Sequence, residues 1–327
     1  MSSQRPSKTP GLDLIGQRLT VRLHLPEGGF RDIVGILESE GSIRRGDGSL
    51  VPFQPEEVAV WRAIIPVPDR AGKGAPLSLR IREIEIAANA TWPAREEFHL
   101  GDWILRASDR VTKRANSALA IGNPGVSLDT AIRQVIEFYN SRNLPPLFHI
   151  ALPTYNELGD TLKNKGWQSD LSVNVMVADS EKVIETLQGG DSQRRDVWEI
   201  QENPSDEWIA LQNDQGVSTI LRRYPARYAG LRVNGELIAV GRAANFERWT
   251  ILSRLFVLPD QRDRGCGREL ILTLLEDAKR LGATKAALQV DSRNVGAISL
   301  YEKVGFRHHH TYEYFSYTPI TEGEGGC

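Results

Sequence analysis

The sequence predicts an α/β (α+β) chain in which a small β-barrel precedes two successive mixed sheets with flanking helices. Three observations carry this. Residues 11–65 hold four or five short runs with period-two alternation and no helical period. Two later stretches repeat the order strand, turn, helix, glycine, aromatic, with 139 residues between Gly166 and Gly305. In the second stretch, a glycine-bearing turn separates a strand from an amphipathic helix.

The first unit is read strand by strand. Arg18 to Leu25 alternates, with Leu19, Val21, Leu23 and Leu25 on one face and Arg18, Thr20, Arg22 and His24 on the other, which is a half-buried strand. Glu27-Gly28-Gly29 turns the chain into Ile33 to Leu37, Arg45-Gly46-Asp47-Gly48 is a hairpin signal before Leu50 to Phe53, and Val58 to Ile64 ends the set. Short strands at this density avoid exposed edges by closing on themselves, so an SH3-like barrel over 11–65 is expected. Pro, Gly and charge without periodicity mark Ile65 to Pro76 as a linker, after which Ser78 caps a helix to about Asn89. A linker and helix therefore occupy 66–90, a first mixed half 91–180 and a second 195–318. The polar stretch Glu181 to Asp196, with its Gly-Gly pair, separates the halves.

The repeat pairs Leu144 to Trp167 with Thr284 to Phe306. Each is preceded by an amphipathic helix, Asp129 to Arg142 and Gly267 to Leu281, with apolar residues at helical spacing (Ile132, Val135, Ile136, Tyr139; Leu270, Ile271, Leu274, Leu275, Ala278). In the second half, Tyr228 to Val233 and Glu236 to Ala244 flank Asn234-Gly235, a type I′ hairpin signal, and Trp249 to Val257 is the next strand. That strand stops at Pro259. Arg262-Asp263-Arg264-Gly265-Cys266-Gly267 then opens the helix: glycines let several N–H groups converge on one anion, and the helix N-terminus adds positive potential. It is neither a P-loop, which needs Lys-Ser/Thr, nor a G-x-G-x-x-G fingerprint.

Val257-x-Pro259-x-x-Arg262-x-x-Gly265-x-Gly267, followed by a helix, a strand to Val290 and Asn294-x-x-Ala297-x-x-Leu300-Tyr301-x-x-x-Gly305-Phe306, closely resembles the GNAT acetyltransferase superfamily. The resemblance covers 195–318 well. Residues 92–180 look like a degenerate copy, and the whole resembles an actinobacterial group of GNAT proteins with an N-terminal SH3-like domain, some of them labelled histone or protein acetyltransferases. The resemblance implies that amides of Arg264, Gly265, Cys266 and Gly267, with those near Arg262 and Arg268, hold the pyrophosphate of acetyl-CoA. Main-chain groups of Leu255 and Val257 would pair with the pantetheine arm, splaying from Ala286 to Val290 would make room, and Asn294 would touch the arm. Tyr301 would protonate the departing thiolate, which a phenol near pKa 10 does for a thiol near 8.5 only when both are held close in a dry site. A backbone N–H near Val257 would stabilise the oxyanion.

The general base is left open. Thr250-Ile251-Leu252-Ser253-Arg254 holds no carboxylate, so Ser253 with water, Asp291 or Glu247 would serve, or the amine arrives deprotonated. The first half departs from the pattern: Leu162 stands where Tyr301 does, Tyr155 where Asn294 does, and Ile121 to Gly125 has no Arg-x-x-Gly-x-Gly. It is expected to bind no CoA and to shape the acceptor pocket, with Arg106, Arg110, Arg114, Asn116 and Ser117 as candidate lining. The expected activity is acetyl transfer from acetyl-CoA to a primary amine, on a protein or a small molecule, by direct attack in a ternary complex. The alternative is a regulatory acyl-CoA-binding protein whose barrel binds a partner.

With 40 Lys plus Arg against 42 Asp plus Glu, the formal charge is -2, which gives no general field for nucleic acid. Two cysteines, Cys266 and Cys327, make no disulfide framework and fit a cytoplasmic protein; neither a secretory signal nor a run of about 20 apolar residues is evident. His308, His309 and His310 alternate faces along a strand, so no metal is expected. Arg222, Arg223, Arg227 and Arg232, with Tyr224 and Tyr228 between them, read as a solvated helix end and hairpin.

Overall fold

A computed structural model describes residues 9–11, 14–45, 49–63, 75–189, 197–212 and 215–317. Two compact units divide at Gly74 and Ala75. The expected hairpin tip at 46–48, most of both linkers (64–74 and 190–196) and Cys327 lie outside the described residues.

In the first unit, β1 (Arg18–His24), β2 (Phe30–Ser39), β3 (Ser42–Arg44), β4 (Leu50–Pro52) and β5 (Val58–Ala63) form one antiparallel sheet in the order β4-β3-β2-β1-β5. Its core is Leu19, Val21, Leu23, Ile33, Leu37, Ile43, Phe53 and Val58. Leu25 falls past the end of β1 and is exposed, because Gly28 and Gly29, both at positive φ, have begun the turn. Among the described residues β4 and β5 are the two ends of the sheet, with no pairing that closes it.

The second unit opens with α1 (Leu77–Ala90), then β6 (Glu96–Leu100), β7 (Trp103–Ala107), β8 (Ala118–Leu119), α2 (Leu128–Asn140), β9 (Leu147–Leu152), α3 (Asn156–Asn164), β10 (Gln168–Asp179) and α4 (Ser180–Gln188). There follow β11 (Trp198–Gln201), α5 (Asp206–Leu211), α6 (Ser218–Leu221), β12 (Arg227–Val233), β13 (Glu236–Phe246), β14 (Trp249–Val257), α7 (Cys266–Arg280), β15 (Lys285–Asp291), α8 (Val295–Lys303) and β16 (Arg307–Ser316). All eleven strands form one mixed sheet, β11-β12-β13-β14-β15-β10-β16-β9-β8-β7-β6. Only β8–β9 and β14–β15 pair in parallel, one such pair on each side of the centre.

The centre of this sheet is an exchange. After β9 and α3 the chain does not return beside β9; β10 pairs instead with β15. After β15 and α8, β16 likewise crosses to β9, and β10 and β16 pair with each other from Gln168 and Ser316 to Val177 and Arg307. Gly166 and Gly305, at φ +85° and +106°, make the sharp reversals that end α3 and α8, a conformation costly for other residues.

Helices cover both faces. On one, α1 buries Ile81, Ile84 and Ala87 against Val173, Val175, Ile251, Tyr312 and Tyr314, so the helix grouped with the linker is a core element. On the other, α7 buries Leu270, Ile271, Leu274 and Leu275, and α4 buries Val183, Ile184 and Leu187, against Ala243, Leu252 and Leu288; α2 contributes Ala131, Ile132, Val135 and Tyr139 to a separate core. Half of the expected separator is therefore helix, capped by the Asp179 side chain, which accepts from Lys182 N. Each fully buried aliphatic side chain contributes about 1.5–3 kcal/mol of transfer free energy.

Candidate active site

The site starts from a defect in β14. Pairing with β13 runs Val240 to Phe256 and then jumps to Arg242 with Ser253, leaving Gly241 opposite both Arg254 and Leu255. Arg254 takes φ +57° in this bulge, and a Cβ on Gly241 would stand 2.8 Å from Leu255 and 2.9 Å from Leu270, so a side chain there would have to displace both leucines. The bulge bends β14 away from its other neighbour. Parallel pairing with β15 covers only Trp249–Leu252 against Lys285–Leu288, and from Ser253 to Val257 the strands part. One edge of β14 is thereby left to pair with something else.

Beyond the splayed end, a short 3-10 turn at Pro259–Gln261 leads into Asp263, at φ +57°, and Gly265, at φ +89° and ψ −11°. Gly265 is the N-cap of α7 and no side chain caps that helix end, so the orphan donors of its first turn are not taken up by a side chain. The Arg262 Nε–H donates to the Val257 carbonyl at 3.2 Å, tying the turn to the end of β14. Arg264 donates to Gln261 Oε1 at 3.3 Å. A Cβ on Gly267 would come within 3.0 Å of Leu300, so the glycine lets α8 approach the same helix end. Cys266 faces inward, 2% exposed. An uncapped helix start, a left-handed glycine and an unpaired strand edge together suit a ligand with an anionic group and an extended amide-bearing arm.

Tyr301, one residue beyond Leu300, is buried except for 9% of its surface, and burial pushes its hydroxyl up to about 12. Asn294 is the N-cap of α8, its Oδ1 accepting from Ala297 N at 3.1 Å. Asp291, at the end of β15, accepts from Arg293 Nε at 2.9 Å, Nη2 at 2.6 Å and the Arg293 backbone N–H at 2.9 Å; the arginine holds its carboxyl down at about 2, so it is a weak base. Glu247 sits in the turn before β14, at the opposite end of that strand from the cradle. Ser253 Oγ accepts from Arg242 Nη1 at 3.4 Å.

Ser253 also lines a cavity of about 360 Å³ on the α1 face, with Arg254 and Leu252 from β14, Gln289 from β15, Leu171 and Val173 from β10, Tyr312 and Tyr314 from β16, and Trp92, Thr112, Lys113 and Arg114 from the first half. Of the five first-half residues expected to line a pocket, only Arg114 does. Arg106 is buried, donating to Asn89, Ser117 and His149, while Asn116 braces the backbone at Ser108 and Thr112 and Ser117 is committed to Arg106. Arg110 reaches the Asn143 carbonyl. The sequence reading missed Trp92, Gln289, Tyr312 and Tyr314, which carry no motif and meet only through the strand exchange.

The remaining candidates are structural. Arg227 bridges Asp277 and Glu202, Arg232 pairs with Glu207, and the Tyr224 and Tyr228 hydroxyls donate to backbone carbonyls. His310 turns inward to Glu85 at 2.9 Å, while His308 meets Thr311. Among the described residues no three His, Cys, Asp or Glu side chains are grouped to hold a metal, and no helix is long and apolar enough to cross a membrane.

Residues 79–315 match the family described as "Probable histone acetyltransferase Rv0428c C-terminal". The "Uncharacterized N-acetyltransferase YobR" of Bacillus subtilis is 30% identical over 237 residues, covering 69% of this chain and 94% of that protein. The "Probable histone acetyltransferase Rv0428c" of Mycobacterium tuberculosis is 28% identical over 328 residues, 93% of this chain and 95% of that one. Among solved structures, a GCN5-related N-acetyltransferase from Kribbella flavida shares the fold with a TM-score of 0.57 at 14% identity, covering 74% of this chain and 96% of that one.

Proposed function

This chain belongs to that family and is a GNAT-family N-acetyltransferase, and from that premise we propose that it moves an acetyl group from acetyl-CoA to a primary amine by direct attack in a ternary complex. The observation that carries the reading is the parting of β14 from β15 at Ser253, immediately ahead of an uncapped helix that begins on a left-handed glycine.

Acetyl-CoA supplies an activated thioester. The backbone of Arg264, Gly265, Cys266 and Gly267, flanked by Arg262 and Arg268, receives its pyrophosphate, and the free edge at Leu255 and Val257 receives its amide-bearing arm. A backbone N–H near Val257 faces the carbonyl oxygen as charge develops there. The Tyr301 hydroxyl, protonated throughout the working pH range, donates to the leaving sulfur, and Asn294 orients that end of α8 through its cap. Asp291 is displaced as a base by its clamp on Arg293. The amine instead loses its proton by way of Ser253 and water, helped by the cationic lining of the cavity, where an ammonium is the disfavoured form.

The finer organisation belongs to the same proposal. Residues 91–180 are a degenerate GNAT-like half, supported by the matching parallel pairs and the exchanged strands, and 195–318 are the catalytic half. The N-terminal residues 11–65 form an SH3-like module for docking a partner. A cytoplasmic setting accords with a chain whose only two cysteines are Cys266 and Cys327.

Replacing Tyr301 by Phe tests the mechanism. The ring's packing near Phe306 is kept, so a fall of about 100-fold in thiol release from acetyl-CoA is expected, the size of a lost general acid. An unchanged rate from pH 7 to 10 removes the role.

A further inference from the structure

The lining of the 360 Å³ cavity is chemically one-sided. It holds three cationic side chains, Lys113, Arg114 and Arg254, and no carboxylate. Trp92 gathers the positive charge: the guanidinium carbons of Arg242, Arg254 and Arg114 lie 5.4, 5.5 and 5.6 Å from its ring. Lys113 is ion-paired with Asp170. Arg114 is different. Its Nε is buried without a hydrogen-bond partner, and among the described residues no carboxylate pairs with it.

A second donor lines the same cavity. Gln289 accepts from the Tyr312 hydroxyl through Oε1 at 3.2 Å, which fixes its amide, and its Nε2 is buried without a partner. Buried donors left without a partner are costly, and a folded protein tolerates them where a ligand completes them. A guanidinium and an amide, both donors, in a cavity without acidic groups match an anion. The planar fork of arginine suits a carboxylate or a phosphate.

We propose that the acceptor is a small amine carrying an anionic group, which Arg114 and Gln289 bind while the amine faces Ser253 at the bulge of β14. This rests on the acetyl-transfer reading and specifies its substrate class. Charge then does two tasks: it selects the acceptor by its anion and, by repelling an ammonium, favours the neutral nucleophile without a carboxylate base.

The test uses matched amines, 4-aminobutyrate against butylamine and 2-aminoethyl phosphate against ethanolamine, titrated calorimetrically into the full chain saturated with CoA. At least one member bearing the anionic group is expected to bind tenfold or more tighter than its partner lacking that group, the pair that does so distinguishing carboxylate from phosphate. Arg114→Met should reduce that ratio to near one without altering CoA binding, and Arg114→Lys should restore part of it. Members lacking the anionic group that bind as well or better, no binding by any of the four, or an Arg114→Met variant that weakens both members of a pair equally would each overturn the proposal. The CoA titration itself is the separate check on the acetyl-transfer reading.

Discussion

Gly265→Glu is expected to abolish the stabilisation that acetyl-CoA confers while leaving the fold intact. Gly265 sits at φ +89° and ψ −11°, and nothing lies within 4 Å of where a Cβ would stand. The cost of any side chain there is therefore conformational rather than steric, about 1–2 kcal/mol. Gly265→Ala carries the same cost without charge and is the natural control. For a unit of this size about 2–4 °C accompany each kcal/mol, so both variants should melt roughly 2–8 °C lower than the native chain. Acetyl-CoA at 100 times its dissociation constant adds about 2.7 kcal/mol to a folded state that binds it, or roughly 5–11 °C. The native chain and Gly265→Ala should show that rise and Gly265→Glu should not, because its carboxylate occupies the place of the pyrophosphate. Thermal midpoints with and without ligand, read by calorimetry, decide it. An undiminished rise in Gly265→Glu refutes the cradle.

Asp291→Asn should change kcat less than twofold between pH 6 and 9, since both carboxylate oxygens are already committed to Arg293; a loss beyond tenfold in a pH–rate series would reinstate it as the base. A second expectation concerns the buried ionic cluster under α1, where Glu85 lies 3.2 Å from His149 Nε2 and 2.9 Å from His310. Burial lowers His149 from 6.5 to about 4, and its Nδ1, 3.3 Å from an arginine nitrogen that can only donate, must be an acceptor. The folded chain thus keeps this ring neutral where the unfolded chain protonates it. Its contribution is complete above pH 6.5 and is lost as pH falls towards 4. Urea midpoints across that window should fall with pH in the native chain and less steeply in His149→Gln; equal slopes would refute the assignment.

Local signals were legible where one stretch of chain decides the structure. Asn234 and Gly235 take φ +53° and +86°, as the hairpin signal predicts, and β14 spans Trp249–Val257 as read from its β-forming residues. The repeat was legible too, because Gly166 and Gly305 must reverse the chain after equivalent helices. What period and motif could not supply was the partner of each strand. Val173 and Tyr312 alternate as they would in any sheet, and nothing in either run says that β10 belongs beside β15. Motif matching also could not see local competition: Arg293 and Ala297 N, two or three residues away from Asp291 and Asn294, reach their oxygens at 2.6 to 3.1 Å. The expectation for Arg106 failed for a related reason, since its partner His149 lies 43 residues on in the chain.

The exchange of β10 and β16 makes residues 91–180 and 195–318 structurally dependent on each other. Each half ends on a strand that completes the other, so β15 has a neighbour on its far side only because the first half supplies β10. Without that neighbour the splayed segment of β14 would lie near a free sheet edge, and the wedge between β14 and β15 would have nothing rigid behind it. The same crossing sets Tyr312 and Tyr314 beside Val173 and carries Arg114 and Trp92 to within reach of Ser253. On the proposed reading, residues 195–318 hold the acetyl donor, and residues from both stretches wall the acceptor cavity. If that reading holds, changes confined to residues 92–116 are expected to alter which amine is accepted while leaving the proposed pyrophosphate cradle at residues 262–268 unaffected.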